Sequence, residues 1–344
     1  MYFDRENAAK FNPLQHAKRI VRAHHDALSG AKPKTIAQVL SRHVADNARW
    51  RGVHPFNELV GHEDVAAGFW KPLLESFGSL QRRESIFFAG ENEIDGGAST
   101  WVASMGHLIG LFDNAWLGIP PTSRIAFIRY CTWYRVEENK ITDVMMHVDI
   151  PHLMTQAGHN PWSHQTGAFT IHPGPSTNDG VLTSPQSEDE SAKTLARINS
   201  MINMIGDWKS GLPLEEELAL DWHDDMLWWG PTGIGSTYTI KRYAKQHAGP
   251  FRDGFTDRKR VGHQVRTAEG FYGGFFGWPS FTARPTGGFM GMPGTNKSGE
   301  FRVTDLYRRR DEKLIENWVF IDILHFWKQQ GVDVLERFST LSEK

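Results

Sequence analysis

The spacing of apolar residues along the chain predicts the same order of elements twice. Between Ala17 and Leu28 apolar residues recur at helical intervals before Ser29-Gly30 ends the pattern, and a second such stretch runs from Leu195 to Ile205. Stretches in which apolar and polar residues alternate follow the first helix, at residues 83–89, 99–110, 124–137 and 140–148. Helices followed by a run of antiparallel strands predict an α+β fold.

An internal repeat explains why the pattern occurs twice. Residues 118–158 pair without gaps with residues 291–331, and the shared positions include a Gly-x-Pro-x-Thr loop, a Tyr-Arg pair and an Asp-Ile-x-His segment. The residues between the copies are rich in Pro, Gly, Ser, Thr and Asn, which is typical of a linker. We therefore predict a first domain over residues 1–158, a linker over 159–192 and a second domain over 193–344.

Two motifs of the repeat carry a resemblance to a known family. One is the loop Gly118-Ile119-Pro120-Pro121-Thr122 with the Tyr-Arg strand and the Lys-Ile hairpin that follow it; the other is the ending from Lys313 to Gly331. In this order they resemble the SnoaL-like polyketide cyclases of the nuclear transport factor 2-like superfamily. The resemblance covers both halves and implies that each copy is an α+β cone, a curved antiparallel sheet whose helices enclose a pocket. It also implies that the two copies pack through their sheets as a pseudo-dimer.

The composition of the chain narrows the classes of partner and chemistry. The 344 residues include 38 Lys and Arg against 40 Asp and Glu, so no strong charge recruits nucleic acid or an anionic membrane. The single cysteine, Cys131, excludes an intrachain disulfide and a cysteine-based zinc site. No stretch is apolar over enough residues to span a bilayer, and the N-terminal residues lack a signal-peptide pattern, so we expect a cytoplasmic protein. Neither His-x-His nor His-Glu-x-x-His occurs, and we expect no metal and no cofactor.

The resemblance also implies a type of chemistry. The cyclases of the family catalyse an intramolecular aldol reaction without a metal, in which a pocket aspartate transfers a proton beside an enolate. Such a carboxyl group needs an apolar cavity that raises its pKa towards neutrality. The positions of this sequence that correspond to the family aspartate are Met146 and Val319, and neither residue can transfer a proton. The cyclase mechanism therefore does not carry over as it stands.

Asp305 is the first candidate for the acid that these positions lack. It lies inside a predicted strand, where aspartate is disfavoured, and alternation places its side chain on the same face as Phe301 and Tyr307. The alternative is a structural aspartate, either paired with Arg302 or Arg284 or exposed on the outer face of the sheet.

Three further residues are candidates for proton transfer. Asp149 and Asp322 occupy equivalent positions at the end of the last strand of each copy. Each could act as an acid or cap the helix that follows, and we favour the cap. His107 lies in the strand before the Gly-Ile-Pro-Pro-Thr loop, and the resemblance implies that it faces the pocket. Its counterpart in the second copy is Arg284.

The residues predicted to line the two pockets are mostly aromatic or apolar, which suits a flat or greasy ligand. They are Trp50, Thr132, Tyr134 and Met146 in the first copy and Trp228, Arg284, Tyr307 and Val319 in the second. We expect acid/base chemistry, which is a cyclisation, isomerisation or hydrolysis of a small hydrophobic or aromatic carbonyl compound. The alternative is a protein that binds a small hydrophobic ligand without turnover, and a third hypothesis is that one copy serves only to complete the pseudo-dimer. We also expect that the chain can form a homodimer.

Overall fold

The computed structural model describes residues 11–162, 166–206 and 210–342 of the chain. In the first unit the helices are α1 (Pro13–Ser29), α2 (Ile36–Ser41), α3 (Gly61–Val65), α4 (Lys71–Ser76) and α5 (Ile150–Gln156), and a π-helical turn (Ala66–Trp70) joins α3 to α4. The strands are β1 (Val44–Gly52), β2 (Asn57–Val60), β3 (Phe77–Glu91), β4 (Thr100–Phe112), β5 (Ile125–Glu137) and β6 (Lys140–Val148).

The second unit repeats this order with small additions. Its helices are α6 (Glu188–Gly206), α7 (Leu214–Ala219), α8 (Ile240–Tyr243), α9 (Gly249–Gly254), α10 (Ile323–Gln329) and α11 (Val334–Ser342), and a π-helical turn (Ala244–Ala248) joins α8 to α9. Its strands are β7 (Trp222–Trp229), β8 (Ser236–Tyr238), β9 (Phe255–Arg260), β10 (Val265–Glu269), β11 (Tyr272–Pro285), β12 (Gly299–Arg310) and β13 (Lys313–Ile321).

The first helix shows how the local sequence sets these boundaries. Asn12 caps α1, since its Oδ1 accepts a hydrogen bond from Gln15 N at 3.0 Å, and a proline occupies the first helical position. Val21 and Leu28 lie on the buried face of the helix. The helix ends before Gly30, where the sequence pattern predicts its end.

The two sheets have corresponding strand orders. The first is β2-β1-β6-β5-β4-β3, and the second is β8-β7-β13-β12-β11-β10, with β9 paired to β11. The prediction of purely antiparallel strands is wrong at one pair in each sheet, because β1 runs parallel to β6 and β7 runs parallel to β13. In each unit an antiparallel meander brings the last strand back beside the first strand in the same direction. The α+β class with two sheets and flanking helices is confirmed.

The units pack through the outer faces of their sheets, which is the pseudo-dimer arrangement implied by the resemblance. Phe88 and Trp133 of the first unit join Phe276 and Trp318 of the second in one buried cluster. The inner faces of the same strands contribute to a separate, larger core under the helices. The central strands of each sheet therefore have buried residues on both faces, which explains the broad aromatic and apolar stretches in the sequence.

The segment between the units packs along both sheets. Phe87 N donates to Gly180 O at 2.8 Å in the first unit, and Trp318 Nε1 donates to Pro173 O at 3.1 Å in the second. The acidic residues from Glu188 onward form the first turn of α6, where carboxylates interact favourably with the positive end of the helix. Helix α6 thus begins inside the segment predicted as a linker, and the domain boundaries themselves stay a prediction.

Candidate functional site

The second unit encloses a cavity of about 170 Å³ between the inner face of its sheet and the helical segments from α6 to α9. An apolar cavity of about 150 Å³ holds benzene, so this space suits a ligand body of about one ring with its substituents. Its wall is mostly apolar and aromatic, as a site for a hydrophobic ligand requires. These residues are Met201, Ile202, Leu218, Trp222, Trp228, Phe251, Phe275, Phe281, Val303, Val319 and Ile321.

Among the described residues, Asp305 is the one carboxylate that lines this cavity. Its side chain leaves β12 on the inner face together with those of Val303 and Tyr307, the arrangement that the alternation indicates. The Tyr307 hydroxyl donates a hydrogen bond to Asp305 Oδ2 at 2.6 Å. The other oxygen, Oδ1, is buried and has no hydrogen-bond partner in the part of the chain that the structure describes. Oδ1 is therefore the atom that can exchange a proton with a ligand.

The surroundings of Asp305 place its titration near neutral pH. Burial raises the pKa of Asp305 to about 7, although the hydrogen bond from Tyr307 and the charge of Arg129 both favour the ionised form. Burial and the neighbouring carboxylate hold the pKa of Tyr307 well above its usual value, so its hydroxyl remains a donor. A carboxyl group with a pKa of about 7 is present in both protonation states at neutral pH, which suits general acid/base catalysis.

Asp305 and Val319 lie directly opposite each other on the neighbouring strands β12 and β13. Both side chains line the cavity. Because the resemblance assigns the family aspartate to the Val319 position, the carboxylate of this chain lies one strand away from it at the same level of the pocket. In the first unit Thr132 and Met146 are paired in the same way, so that unit has no acid at either position.

Two polar cavity residues were missed by the sequence analysis. Tyr243 ends α8, and His247 lies in the π-helical turn that follows. His247 stacks on Trp228 with ring centroids 4.1 Å apart, and burial lowers the pKa of His247 to about 3, so that it is neutral at pH 7. Burial raises the pKa of Tyr243, which keeps its hydroxyl protonated. Tyr243, His247 and Phe251 recur at intervals of four residues, a helical stripe that could have identified them.

Three arginines at the cavity were missed as well. Arg252, Arg258 and Arg260 line it, and so does His263. Arg252 forms a salt bridge with Glu217, and Arg258 and Arg260 belong to the strand β9. The charged sequence around these arginines is typical of a solvated turn, so only the position of β9 beside the cavity gives them significance.

The corresponding space in the first unit is much smaller, at about 20 Å³, which is enough for one or two water molecules. The residues named from the sequence, Trp50, Thr132, Tyr134 and Met146, all line it. The Tyr134 hydroxyl is hydrogen-bonded to His25 Nε2 at 3.0 Å. The space is closed by side chains of the unit itself, among them His24, Leu40, Val65 and Trp70.

Arg284 does not line the cavity of the second unit, which corrects the pocket position assigned to it. Its Nε donates to Asp257 Oδ2 at 2.7 Å near the surface. The pairing of β11 shifts register between Gly277 and Phe281, and its pairing with β9 shifts again next to Arg284. Such a shift changes the face that the following residues present, so alternation cannot be counted across it.

His107 faces away from the cavity of the first unit, which corrects the second assignment. On β4 it shares its face with Trp101 and Met105, which pack between the two sheets. Directly opposite on β5, Arg129 reaches the second unit, where its Nη1 donates to Val319 O at 3.0 Å. Burial and the charge of Arg129 lower the pKa of His107 to about 3, so His107 is a neutral residue of the contact between the units.

Asp149 and Asp322 cap helices. Asp149 Oδ1 accepts a hydrogen bond from His152 N at 3.1 Å, which caps α5. Asp322 Oδ1 accepts one from His325 N at 3.1 Å, which caps α10. Neither carboxylate lines the large cavity. Of the two interpretations of these residues, the cap is the one that their geometry matches.

The same two aspartates also join the units. Asp149 Oδ2 accepts from Thr232 N at 3.0 Å, and Asp322 Oδ2 accepts from His54 N at 2.9 Å. Asp149 of the first unit therefore binds a backbone N–H of the second unit, and Asp322 of the second unit binds a backbone N–H of the first. The two contacts are equivalent under the pseudo-twofold symmetry of the units. Burial raises the pKa of Asp322 to about 6, whereas these hydrogen bonds favour its ionised form.

Two general properties complete the description of the site. Within residues 11–162, 166–206 and 210–342, His, Cys, Asp and Glu side chains do not come together in groups of three or more that could hold a metal ion. Over the same ranges, the helices lack the combined length and apolar character needed to span a membrane.

One comparison with known families gives a match within the second unit. Residues 278–330 match the family model of the SnoaL-like polyketide cyclases. This match confirms the resemblance that the motifs indicate, and its range includes β12, β13 and Asp305. No curated protein matches the chain.

Solved structures similar to parts of the chain share little sequence identity with it. A SnoaL-like protein from Jannaschia sp. CCS1 is 18% identical, with a TM-score of 0.32 over 43% of this chain and 96% of its own. An NTF2-like protein from Burkholderia xenovorans LB400 is 14% identical, with a TM-score of 0.32 over 40% of this chain and 96% of its own. An LEH-like epoxide hydrolase from M. tuberculosis is 15% identical, with a TM-score of 0.29 over 42% of this chain and 91% of its own.

Proposed function

We propose that this chain, whose second unit carries the SnoaL-like signature, is an acid/base enzyme in which Asp305 exchanges a proton with a small hydrophobic or aromatic carbonyl compound. One observation carries the proposal: the Asp305 carboxyl group lines an apolar cavity with one oxygen bound by Tyr307, the other without a partner, and a pKa of about 7. The overall reaction is a cyclisation, isomerisation or hydrolysis. In the first two Asp305 accepts a proton beside the carbonyl group, and in the third it accepts a proton from water.

The cavity offers a role for three polar groups in such a step. The ionised Asp305 accepts the proton on Oδ1, while the hydrogen bond from Tyr307 holds Oδ2 in place. Tyr243, which burial keeps protonated, donates to the carbonyl oxygen as negative charge develops there. The protonated Asp305 then returns the proton to the product.

The first unit serves as a support in this proposal. Its space of about 20 Å³ is too small for a ring, and Thr132 stands where the second unit has Asp305. Its outer sheet face covers that of the second unit, and Arg129 fixes the backbone of Val319 behind the cavity.

Proton exchange at carbon tests the proposal without knowledge of the natural substrate. The probe is 1-indanone in D₂O, and its loss of α-proton signal is followed by NMR. We expect wild type to accelerate exchange above the buffer rate and Asp305→Asn to lower that acceleration by about a hundredfold or more. Asp257→Asn, a surface aspartate beside the same sheet, is the matched control and retains the wild-type rate. Equal acceleration by wild type and Asp305→Asn contradicts the proposal.

A ligand-binding protein without turnover is the second candidate, and the apolar Val319 at the family's acid position favours it. In that case 1-indanone binds to wild type, as seen by tryptophan fluorescence, but its exchange stays at the buffer rate. Asp305→Asn then binds the ketone as wild type does.

A further inference from the structure

We infer that His247 is a further catalytic residue, whose ring N–H binds the carbonyl oxygen of the ligand together with the Tyr243 hydroxyl while Asp305 exchanges the proton. This inference deepens the proposed function and rests on it for the position of the reacting carbon. It adds a second donor to the one that the proposed step already uses, so the negative charge of an enolate is shared between two hydrogen bonds.

The first unit shows that packing does not require a histidine at this place. Trp50 and Trp228 are equivalent, since each lies two residues before a glycine, on the strand that runs parallel to the last strand of its unit. The fourth residue of each π-helical turn contacts this tryptophan. It is Phe69 in the first unit, with ring centroids 5.2 Å apart, and His247 in the second, with ring centroids 4.1 Å apart. A phenyl ring therefore fills this position where the unit has no acid.

Tyr243 differs from its counterpart in the same way. It is the last residue of α8, directly before the π-helical turn, and Val65 is the last residue of α3 at the equivalent place. Val65 borders the small space of the first unit. A buried polar side chain gives up hydrogen bonds to water, so an apolar residue is the less costly way to complete such a wall. The hydroxyl and the imidazole therefore serve the ligand rather than the packing.

The imidazole of His247 offers a hydrogen-bond donor to the cavity that it lines. The side chain is 8% exposed, and Nδ1 is buried without a hydrogen-bond partner in the part of the chain that the structure describes. Burial lowers the pKa of His247 to about 3, so the ring carries one proton at neutral pH. Because a buried acceptor without a partner is better tolerated than a buried donor, this proton lies on Nε2, at the far end of the ring.

Tyr243 lies beside both His247 and the acid. The rings of Tyr243 and His247 have centroids 5.4 Å apart, and both residues line the cavity. The charge of Asp305 is one of the causes that raise the pKa of Tyr243, so these two groups are close enough to interact. A carbonyl oxygen that is bound by the two donors therefore has its neighbouring carbon close to the carboxylate, as proton transfer requires.

The two donors act where charge develops during the step. When Asp305 removes the proton, the electron pair of the C–H bond forms the C=C bond of the enolate, and the π pair of the carbonyl group moves to oxygen. The negative charge of the carboxylate thus passes to this oxygen. Both donors keep their protons, because burial raises the pKa of Tyr243 and a neutral imidazole is a very weak acid. Return of the proton from Asp305 reverses the step.

His247→Phe tests the inference with the residue that the first unit has at the equivalent position, so the contact with Trp228 is kept. We expect it to lower the acceleration of 1-indanone exchange by about a hundredfold, mostly in kcat rather than KM. His223→Phe is the matched control and retains the wild-type rate, because His223 binds Arg310 O at 2.8 Å near the surface.

Two amide variants identify the nitrogen that donates. The amide nitrogen of His247→Gln lies near the position of Nε2, whereas that of His247→Asn reaches only the position of Nδ1. We expect His247→Gln to exchange 1-indanone about tenfold faster than His247→Asn. The two variants carry the same functional group, so this comparison remains valid even where His247→Phe does not fold.

An infrared measurement separates donation to the carbonyl group from an effect on packing. The probe is 1-indanone with an isotopic label at its carbonyl carbon, bound to the protein in H₂O, where exchange leaves the ketone unchanged. Hydrogen bonds to the oxygen lower the C=O stretching frequency. We expect a lower frequency in wild type than in an apolar solvent, and His247→Phe and Tyr243→Phe should each reverse part of this shift.

Three results overturn the inference: a carbonyl frequency in His247→Phe equal to that in wild type, a wild-type exchange rate in this variant, or equal exchange rates in the two amide variants. The infrared measurement needs no turnover, so its failure is separate from that of the proposed function. Asp305-dependent exchange with a carbonyl frequency that does not respond to His247 refutes only this inference. A frequency that responds to His247 without Asp305-dependent exchange refutes the proposed catalysis and leaves the two donors in place.

Discussion

The Tyr307 hydroxyl and the Asp305 carboxylate are joined by a hydrogen bond of 2.6 Å between residues two apart on one strand. The equivalent residues of the first unit, Tyr134 and Thr132, have the same spacing, but there the tyrosine is hydrogen-bonded to His25 at 3.0 Å. The first unit thus has a tyrosine at the position equivalent to Tyr307 but no acid at the position equivalent to Asp305.

Tyr307→Phe is expected to shift the pH dependence of proton exchange to higher pH. The hydrogen bond from Tyr307 stabilises the ionised carboxylate, so its loss raises the pKa of Asp305 beyond its present value of about 7. The measurement is the rate of 1-indanone exchange against pH, whose midpoint should move upward. Tyr134→Phe in the first unit is the control and should leave the midpoint unchanged. An unchanged midpoint in Tyr307→Phe would show that the bond does not tune the acid.

Asp305→Asn is expected to change the stability of the protein in a pH-dependent manner. The folded-state pKa of about 7 lies above the unfolded value of about 3.9, so folding favours the protonated acid. Wild type therefore loses stability as pH rises from about 4 through 7. In the variant, residue 305 does not ionise and makes no pH-dependent contribution to the free energy of unfolding. Thermal unfolding should show the Tm of Asp305→Asn increasing relative to wild type across this range and levelling off above it. A constant Tm difference from pH 4 to 8 would contradict the raised pKa.

Trp228→Phe is expected to reduce the fluorescence change that an aromatic ligand causes, and Trp222 in the same wall accounts for what remains. Trp228 is buried in the wall of the large cavity, whereas its equivalent, Trp50, borders the small space of the first unit. The measurement is the change in emission on titration with 1-indanone, together with the stoichiometry from calorimetry. Trp50→Phe should retain the change, and binding should saturate at one ligand per chain. A signal that depends on Trp50, or a stoichiometry of two, would show that the first unit also binds.

Asp149→Asn and Asp322→Asn are expected to destabilise the chain while leaving proton exchange intact. An asparagine oxygen still caps each helix, but the amide nitrogen then faces the backbone N–H of Thr232 or His54 and cannot accept from it. Leaving such a buried donor unsatisfied costs about 1–3 kcal/mol in the free energy of unfolding. Urea unfolding measures this loss.

Asp333→Asn is the control for these two variants, since Asp333 caps α11 near the surface and makes its salt bridge with Lys328 there. A surface pair of this kind contributes less than about 1 kcal/mol. Loss of 1-indanone exchange in a folded Asp149→Asn or Asp322→Asn variant would indicate a catalytic role and contradict the purely structural one.

The sequence was sufficient to predict the α+β fold and the face of β12 from which Asp305 projects. Alternation along residues 301–307 put Asp305 on the face that lines the cavity, because β12 has no bulge between those residues. On β11 the same counting failed for Arg284, because register shifts precede it.

His107 was misplaced for a different reason. The resemblance directed it to the pocket, whereas in the structure it shares the face of β4 with Trp101 and Met105, which pack between the two sheets. Both faces of this strand are buried, and packing between the units determines which face lines the cavity. The alternation of residues along the strand does not distinguish the two faces. The difference in cavity size between the units depends on packing in the same way.

The covalent connection between the units has a consequence for how such a site can diverge. In a pair of identical subunits every substitution occurs twice, so a bulky residue that closes one cavity closes both. In this chain the partner sheet is held in place at a high effective concentration, and dilution cannot separate the two. A difference such as Thr132 in one half and Asp305 in the other can therefore accumulate without a matching change in the second copy. The half that holds Asp305 keeps its support while its chemistry is free to specialise.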